Sequence, residues 1–150
     1  MNRKKMILAG MLLMAATSFA QAKYIFYFIG DGMGAAQRQI AEEYKKGVMK
    51  EDGKLLMNSL PFSAITLITD SAAAGTALAT GHKTNNGYIA KDTKGNDLKT
   101  LLEMAQEEGR ATGLVTTTRI THATPAVFAS HNIDRDDENG IASDYVKSNV

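Results

Sequence analysis

One change of residue type, near the middle of the sequence, constrains the fold of this chain more than any other feature. Residues 64–69 (AITLIT) form an apolar, β-branched run that is typical of a buried strand. Residues 72–79 are almost all small, which favours a closely packed helix. Asp70 and Ser71 therefore lie where a strand passes into a helix, beside free backbone N–H groups and the positive end of the helix dipole. Such a junction predicts an anion site, and phosphate is the usual anion.

The same two residues have a simpler interpretation. Asp70 or Ser71 can cap the helix without any ligand, because both side chains accept hydrogen bonds from the first turn. A cap does not explain why the side chains that follow are so small. We therefore expect something to approach the backbone of this helix closely.

The first 22 residues have the pattern of a secretory signal peptide. A basic segment (2–5) precedes an apolar one (6–16), and residues 20–22 (AQA) offer a small-x-small cleavage site. The apolar segment is too short to span a bilayer, and the chain has no Cys that could carry a lipid anchor. We expect Lys23 to be the first mature residue, with cleavage after Ala20 as a variant, and the protein to be periplasmic or secreted.

Cleavage changes the charge of the chain. Of its 17 Lys and Arg residues, three lie in the signal peptide, so residues 23–150 carry 14 basic side chains against 16 acidic ones, a net charge of −2. A near-neutral chain argues against nucleic acid as a partner. Because there is no Cys, no disulfide supports the exported fold, and its stability has to come from the core or from bound metal.

Two further apolar runs, residues 24–29 (YIFYFI) and 113–117 (GLVTT), predict strands. The first is continuous, as in a central parallel strand that is covered on both faces. The predicted helices and their end signals are residues 35–46, residues 98–108 with Asp97 as N-cap and Gly109 as stop, residues 126–130 with Thr124 as N-cap and Pro125 at the first position, and residues 141–149. This alternation predicts an α/β fold, a doubly wound and mainly parallel sheet flanked by helices.

The chemically suggestive side chains each follow a predicted strand. Asp31 lies in a glycine-rich turn after the first strand, Asp70 and Ser71 follow the second, and His122 and Thr124 follow the third. An exposed carboxylate in a tight turn is the alternative for Asp31. Because ligand sites in open α/β sheets form at the carboxyl edge of the strands, we expect these side chains to converge. The pattern predicts an oxyanion or metal site with a Ser nucleophile, and it does not name a substrate.

Three segments resemble the alkaline phosphatase family. Residues 68–76 (ITDSAAAGT) resemble its nucleophile signature at every position, and residues 28–34 (FIGDGMG) resemble its first metal-binding loop. Residues 117–119 (TTR) followed by 122–126 (HATPA) resemble its third. The resemblance runs from about Lys23 through Arg135 and is expected to continue to the end of the chain.

This resemblance implies an enzyme that hydrolyses small phosphate monoesters through a phosphoserine intermediate, with two Zn²⁺ ions and one Mg²⁺. It implies Ser71 as the nucleophile and a zinc ligand, Asp31 as a carboxylate shared by a zinc and the magnesium, Thr124 as a magnesium ligand, and Arg135 as the clamp on two phosphate oxygens. The chemistry agrees, since a zinc-bound hydroxyl ionises near neutral pH and a bidentate guanidinium stabilises equatorial oxygens. A homodimer is implied for the full-length enzyme.

His122 agrees with one branch of the family and departs from another, which has Asp at this position. The imidazole ring of His122 cannot hold magnesium-bound water as a carboxylate does. The identity of the third metal, which is magnesium in the family, therefore stays open.

The resemblance also implies that the family's remaining metal ligands lie beyond Val150. Residues 23–150 are therefore expected to be the N-terminal part of a catalytic domain, poorly active by themselves. Two alternatives stay open, another member of the same metal-dependent phosphotransferase and sulfatase superfamily, and a non-catalytic exported domain that binds phosphate or a cation.

Overall fold

A computed structural model of the chain describes residues 22–59, 69–148 and 150. It divides the chain into two compact units, the first ending at Gly53 and the second beginning at Lys54. Apart from Ala22, the predicted signal peptide lies outside the described residues, and so does the predicted strand at 64–69 apart from Thr69. Within the described residues, no helix is long and apolar enough to cross a bilayer.

The first unit is built around helix α1, Ala35–Tyr44, which continues as a π-helical turn, Lys45–Met49. The helix predicted over residues 35–46 is confirmed. Its apolar residues are not buried, however, because Ile40 is 68% and Tyr44 is 55% exposed.

The predicted strand at residues 24–29 carries no regular secondary structure, and its aromatic side chains are exposed. The predicted strand at residues 113–117 is likewise irregular, with Val115 fully exposed. An apolar run favours burial, but a strand also needs a neighbouring backbone to pair with. Among the described residues, such pairing is limited to two isolated antiparallel bridges, Ile89 with Asn132 and Lys91 with Asp97. The doubly wound parallel sheet therefore stays a prediction.

The second unit contains the remaining helices of the described chain. A 3₁₀ turn, Leu56–Ser59, precedes α2 (Ser71–Thr80), α3 (Leu101–Glu107), α4 (Ala123–Ala126) and α5 (Glu138–Ser148). Helix α2 confirms the helix predicted from the small residues, and α5 begins three residues before the helix predicted over 141–149.

Helix α3 begins later than predicted, and Asp97 does not cap it. Thr100 is the N-cap, because its hydroxyl accepts from the backbone N–H of Glu103 at 3.1 Å while the Glu103 carboxylate accepts from the Thr100 N–H at 2.8 Å. Asp97 instead pairs with Lys91, through the backbone bridge and through the Lys91 ammonium. The helix stops as predicted, with Gly109 in the left-handed region at φ +72°.

Helix α4 also begins at a different residue from the one predicted. His122 is its N-cap, so Thr124 lies inside the helix and Pro125 occupies its third position rather than its first. Pro125 is tolerated there because the first-turn N–H groups have no acceptor within a helix. Residues 127–129, predicted to be helical, form turns.

The core of the second unit forms where α2 packs against α4 and the residues that follow it. Ala72, Gly75 and Ala79 of α2 are buried. A Cβ atom added to Gly75 would lie 2.9 Å from Cγ2 of Val127, so the two segments are in close contact. The close approach that the small residues predicted is therefore made here by the protein's own core.

Candidate functional site

The N-terminus of α2 is organised by the carboxylate of Asp70. Its Oδ1 accepts from the backbone N–H of Ala73 at 2.9 Å, so Asp70 caps the helix. Its Oδ2 accepts from the backbone N–H of Gly87 at 2.9 Å. Ser71 is the first residue of the helix and is half-buried. The N-cap interpretation is therefore correct for Asp70, and it leaves the Ser71 hydroxyl free of that role.

Arg135 joins this junction from a distant part of the sequence. Its Nη1 lies 3.3 Å from Oδ2 of Asp70, and its Nη2 donates to Nε2 of His122 at 3.2 Å. Both partners of the Asp70–Arg135 ion pair are largely covered, with side chains 23% and 26% exposed. The structure thus brings together Asp70, His122 and Arg135.

The electrostatics of the pair favour the charged form of Asp70. Burial acts to raise the pKa of this carboxyl, but the hydrogen bonds from Ala73 and Gly87 and the guanidinium of Arg135 outweigh it. The pKa of Asp70 is therefore lowered, and the group is a carboxylate at neutral pH. Its oxygens are used to cap α2 and to hold Arg135.

Gly87 is a member of this site that the sequence analysis missed. It has φ +85°, a conformation that favours glycine, and its N–H points at Asp70. Thr76 of α2 holds the same loop, because its hydroxyl donates to the Tyr88 carbonyl at 3.0 Å and accepts from the Ala90 N–H at 2.9 Å. The Asn-Asn-Gly sequence before Tyr88 is typical of a turn, but it does not indicate that the Gly87 N–H binds Asp70.

His122 and Thr124 lie at the start of α4, and the segment before them is fixed by Glu138. The carboxylate of Glu138 accepts from Nε of Arg119 at 3.0 and 3.1 Å and from its Nη2 at 2.7 Å, and it also accepts from the Thr121 hydroxyl. The first residue of α5 therefore holds the segment that leads into α4.

Asp31 lies in the first unit and is exposed. It occupies a tight turn in which the Met33 N–H donates to the Gly30 carbonyl at 3.1 Å and Gly32 has φ +66°. The turn is as predicted. The convergence of Asp31 with Ser71 stays a prediction.

A zinc or magnesium ion needs several ligand atoms from side chains that surround one point. No group of three or more His, Cys, Asp or Glu side chains that could hold a metal occurs in the described ranges. The Nε2 lone pair of His122 accepts a hydrogen bond from the Arg135 guanidinium, so it is not directed at a metal. The Ser71 and Thr124 hydroxyls are neutral and bring no negative charge to a cation. These residues alone do not fit a zinc or magnesium site.

Comparisons with known proteins identify the family. The family model described as alkaline phosphatase matches residues 22–149. Alkaline phosphatase 3 of Bacillus subtilis is 44% identical over 134 residues, which are 83% of this chain and 29% of that protein. Streptomycin-6-phosphate phosphatase of Streptomyces griseus is 40% identical over 130 residues, which are 77% of this chain and 28% of that protein.

Solved structures agree with the sequence comparisons. The cold-active alkaline phosphatase of Shewanella sp. is similar with a TM-score of 0.68 and 38% identity, covering 80% of this chain and 32% of that one. The Thermus thermophilus alkaline phosphatase has a TM-score of 0.62 and 32% identity, covering 82% and 33%. These neighbours define an α/β class of fold. The chain belongs to the alkaline phosphatase family, and it spans about three tenths of the length of the two relatives named above.

Proposed function

We propose that this chain supplies the nucleophile and the phosphate-orienting residues of an enzyme that hydrolyses small phosphate monoesters. The observation that carries the proposal is the Asp70–Arg135 ion pair next to Ser71, at the N-terminus of a ten-residue helix. A negatively charged phosphoryl group is favoured at such a helix end, where N–H groups and the dipole meet it.

Ser71 is the proposed nucleophile. Its oxygen attacks phosphorus, the bond from phosphorus to the ester oxygen breaks, and the alcohol leaves with a proton. Water then attacks the phosphoserine and releases inorganic phosphate, which regenerates the hydroxyl. A free serine hydroxyl is a weak nucleophile at neutral pH, so this step needs an activating group.

Arg135 is proposed to hold the phosphoryl group during both steps. A guanidinium has five N–H donors in a rigid fork, and the contacts with Asp70 and His122 use only part of them. The remaining donors can bind two phosphoryl oxygens and stabilise the charge of the transition state. Asp70 orients the fork, since its own position is fixed by α2 and by Gly87.

A metal requirement is proposed from the family to which the chain belongs. One related solved structure, a variant of TAB5 alkaline phosphatase, is described as having Mg bound. We propose that Ser71 is a zinc ligand, that Asp31 is shared by a zinc and the magnesium, and that Thr124 and His122 belong to the site of the third metal. Ligands from further sequence are proposed to complete the two Zn²⁺ sites and the one Mg²⁺ site. The 150-residue chain alone is then expected to hydrolyse phosphate esters poorly or not at all.

The proposal also covers where the protein works and on which compounds it acts. Residues 1–22 are proposed to direct export to the periplasm or the medium, and N-terminal sequencing of exported protein should then begin at Lys23. The small phosphorylated compound in the name of the Streptomyces relative supports small phosphate monoesters as substrates. The full-length enzyme is proposed to be a homodimer.

The test compares residues 23–150 with a protein extended to the length of the relatives. Both are assayed with p-nitrophenyl phosphate at alkaline pH with Zn²⁺ and Mg²⁺, and Ser71→Ala is the matched variant of each. Turnover by the extended protein, lost in Ser71→Ala, with phosphoserine detected at Ser71 by mass spectrometry, would support the proposal. Ser71-dependent turnover by residues 23–150 would overturn the expected inactivity, and an extended protein that binds phosphate without turnover would favour a binding domain.

A further inference from the structure

The imidazole of His131 is enclosed between two hydrogen-bond acceptors. Its Nδ1 lies 2.9 Å from the Ala90 carbonyl oxygen, and its Nε2 lies 2.8 Å from Oε1 of Glu103. A neutral imidazole has one N–H and one lone pair, so it can satisfy only one of two acceptors. The ring can hydrogen-bond to both acceptors in two cases. Either both of its nitrogens carry a proton, or the proton between Nε2 and Glu103 lies on the carboxyl group and Nδ1 keeps its own.

The two acceptors are themselves fixed in place. Oε2 of Glu103 accepts from the Thr100 N–H at 2.8 Å and closes the capping box of α3. The Ala90 carbonyl also accepts from the Leu98 N–H at 2.8 Å. Neither acceptor can turn away from the ring without breaking another hydrogen bond.

The charged groups around the ring come from three segments. Asp97 and Lys99 precede α3, Glu103 and Glu107 lie on it, and with the ring they line an open cleft of ≈650 Å³. From α5, Oδ2 of Asp144 faces the backbone N–H of His131 at 3.4 Å. Three of these acidic groups each pair with a lysine, Asp97 with Lys91, Glu107 with Lys99 and Asp144 with Lys147, so the acidic group that faces the ring directly is Glu103. Burial acts to lower the pKa of His131, but the hydrogen bonds to Glu103 and Ala90 and the charge of Glu103 outweigh it, so this pKa is raised.

His131 lies where the loop that contains Gly87 contacts the segment that leads to Arg135. Its neighbour Asn132 exchanges two backbone hydrogen bonds with Ile89, at 2.7 and 3.0 Å, in the loop whose Gly87 holds Asp70. Arg135 follows His131 by four residues in the same segment. Ala90, the ring's acceptor, has φ +44°, a strained value for a residue with a side chain. Such a conformation persists only when its surroundings hold it.

We propose that His131 is a positioning residue, whose doubly hydrogen-bonded ring holds the Gly87 loop and the Arg135 segment in register, so that loss of its proton loosens the Asp70–Arg135 pair. Its consequence for phosphate binding rests on the proposed function. The protonation state of the His131 ring and its effect on Gly87 and Arg135 are independent of the proposed function.

The test is an NMR pH titration of the 150-residue chain, which has only three histidines. The ring signals of His131, the Gly87 amide proton and the Arg135 Nε–H are followed together. We expect His131 to titrate above the ordinary value of 6.5 and the two site signals to move with it. A titration at or below 6.5, or site signals that do not follow the ring, would overturn the proposal.

Three variants make the test specific. Glu103→Gln can still close the capping box, since glutamine serves at that position, and it should lower the pKa of His131. His131→Gln should remove the shared transition from Gly87 and Arg135. His82→Gln, which removes an exposed histidine bonded to the Thr80 carbonyl, should leave that transition unchanged. If His131→Gln does not fold, the titrations of the unaltered chain and of Glu103→Gln still decide the result.

An inorganic phosphate titration of the extended protein separates this inference from the proposed function. Phosphate affinity that falls as His131 loses its proton, and a pH dependence that disappears in His131→Gln, would support the positioning role. The same pH profile in both proteins would overturn it. Absence of phosphate binding at every pH would count against the proposed function, and the NMR result would still decide the state and the effect of His131.

Discussion

Asp70 connects more of the candidate site than any other single side chain described above. Its carboxylate accepts hydrogen bonds from Ala73, from Gly87 and from Arg135. One side chain therefore caps the N-terminus of α2, holds a loop and orients a guanidinium. Its neighbour Ser71 is thereby placed at a helix end that is capped by a carboxylate of the chain itself.

Asp70→Asn should weaken the site more than the fold. Asparagine still caps α2 through its carbonyl oxygen, but its NH₂ group would face the donors Gly87 and Arg135. We expect a loss of about 1–2 kcal/mol in the free energy of unfolding, from unmade hydrogen bonds, and weaker phosphate binding by the extended protein. Chemical denaturation and phosphate titration measure the two effects. Asp136→Asn, an exposed neighbour of Arg135, is the control, and an equal loss in both variants would contradict the role given to Asp70.

At the scale of elements, the first turn of α5 holds the segment that enters α4. Glu138 binds Arg119 and Thr121, and Arg135, just before α5, binds His122 at the N-terminus of α4. The contact between Arg135 and His122 is therefore supported by a second link between the same two segments.

Glu138→Gln should disturb this arrangement without unfolding the chain. The amide keeps one acceptor for Arg119 or Thr121 but loses the charge, so the segment before α4 should be held less firmly. We expect changed NMR signals for the His122 ring and the Arg135 Nε–H, and a higher KM in the extended protein. Glu107→Gln is the control, because it removes an exposed ion pair between Glu107 of α3 and Lys99, which precedes the helix. Unchanged His122 and Arg135 signals in Glu138→Gln would count against the link.

The packing of α2 gives a second prediction at this scale. Gly75→Ala would place a Cβ atom 2.9 Å from Cγ2 of Val127, so we expect a loss of about 1–3 kcal/mol in the free energy of unfolding from overpacking. Combining it with Val127→Ala should cost less than the sum of the two single changes, because the second change removes the clash. Leu78→Ala, on the exposed side of α2, is the control. Strictly additive losses in thermal or chemical denaturation would show that the contact is not tight.

At the scale of the whole molecule, the pH dependence of stability should carry the signature of the His131–Glu103 pair. A histidine whose pKa is raised by folding stabilises the protein below its unfolded pKa, and this contribution is lost as the pH rises through the folded pKa. The free energy of unfolding should therefore fall between the ordinary pKa of histidine and the raised value of His131. Denaturation at a series of pH values measures the fall. Glu103→Gln should reduce it and His82→Gln should not, and equal slopes in all three proteins would be inconsistent with the pair.

Local sequence patterns predicted elements better than contacts. Helix α2 and the stop at Gly109 were readable because side-chain size and a left-handed glycine act within one turn of the chain. The first residue of α3 could not be predicted in this way, because Asp97 and Thr100 are both good N-caps. Asp97 pairs with Lys91 instead, and Thr100 caps the helix. Residues 24–29, where a strand is predicted, carry no regular secondary structure in the described chain, since pairing needs a partner that an apolar run does not specify.

The sequence by itself determined the family and the position of the helix that begins at Ser71, because these depend on residues close together in the chain. Only the tertiary structure decided that Asp70 holds Arg135, 65 residues away, and that His131 is enclosed between Ala90 and Glu103. The physical reason is that a hydrogen bond between distant residues leaves no periodicity or spacing in the sequence. Its partners are chosen when packing brings a donor and an acceptor to within about 3 Å.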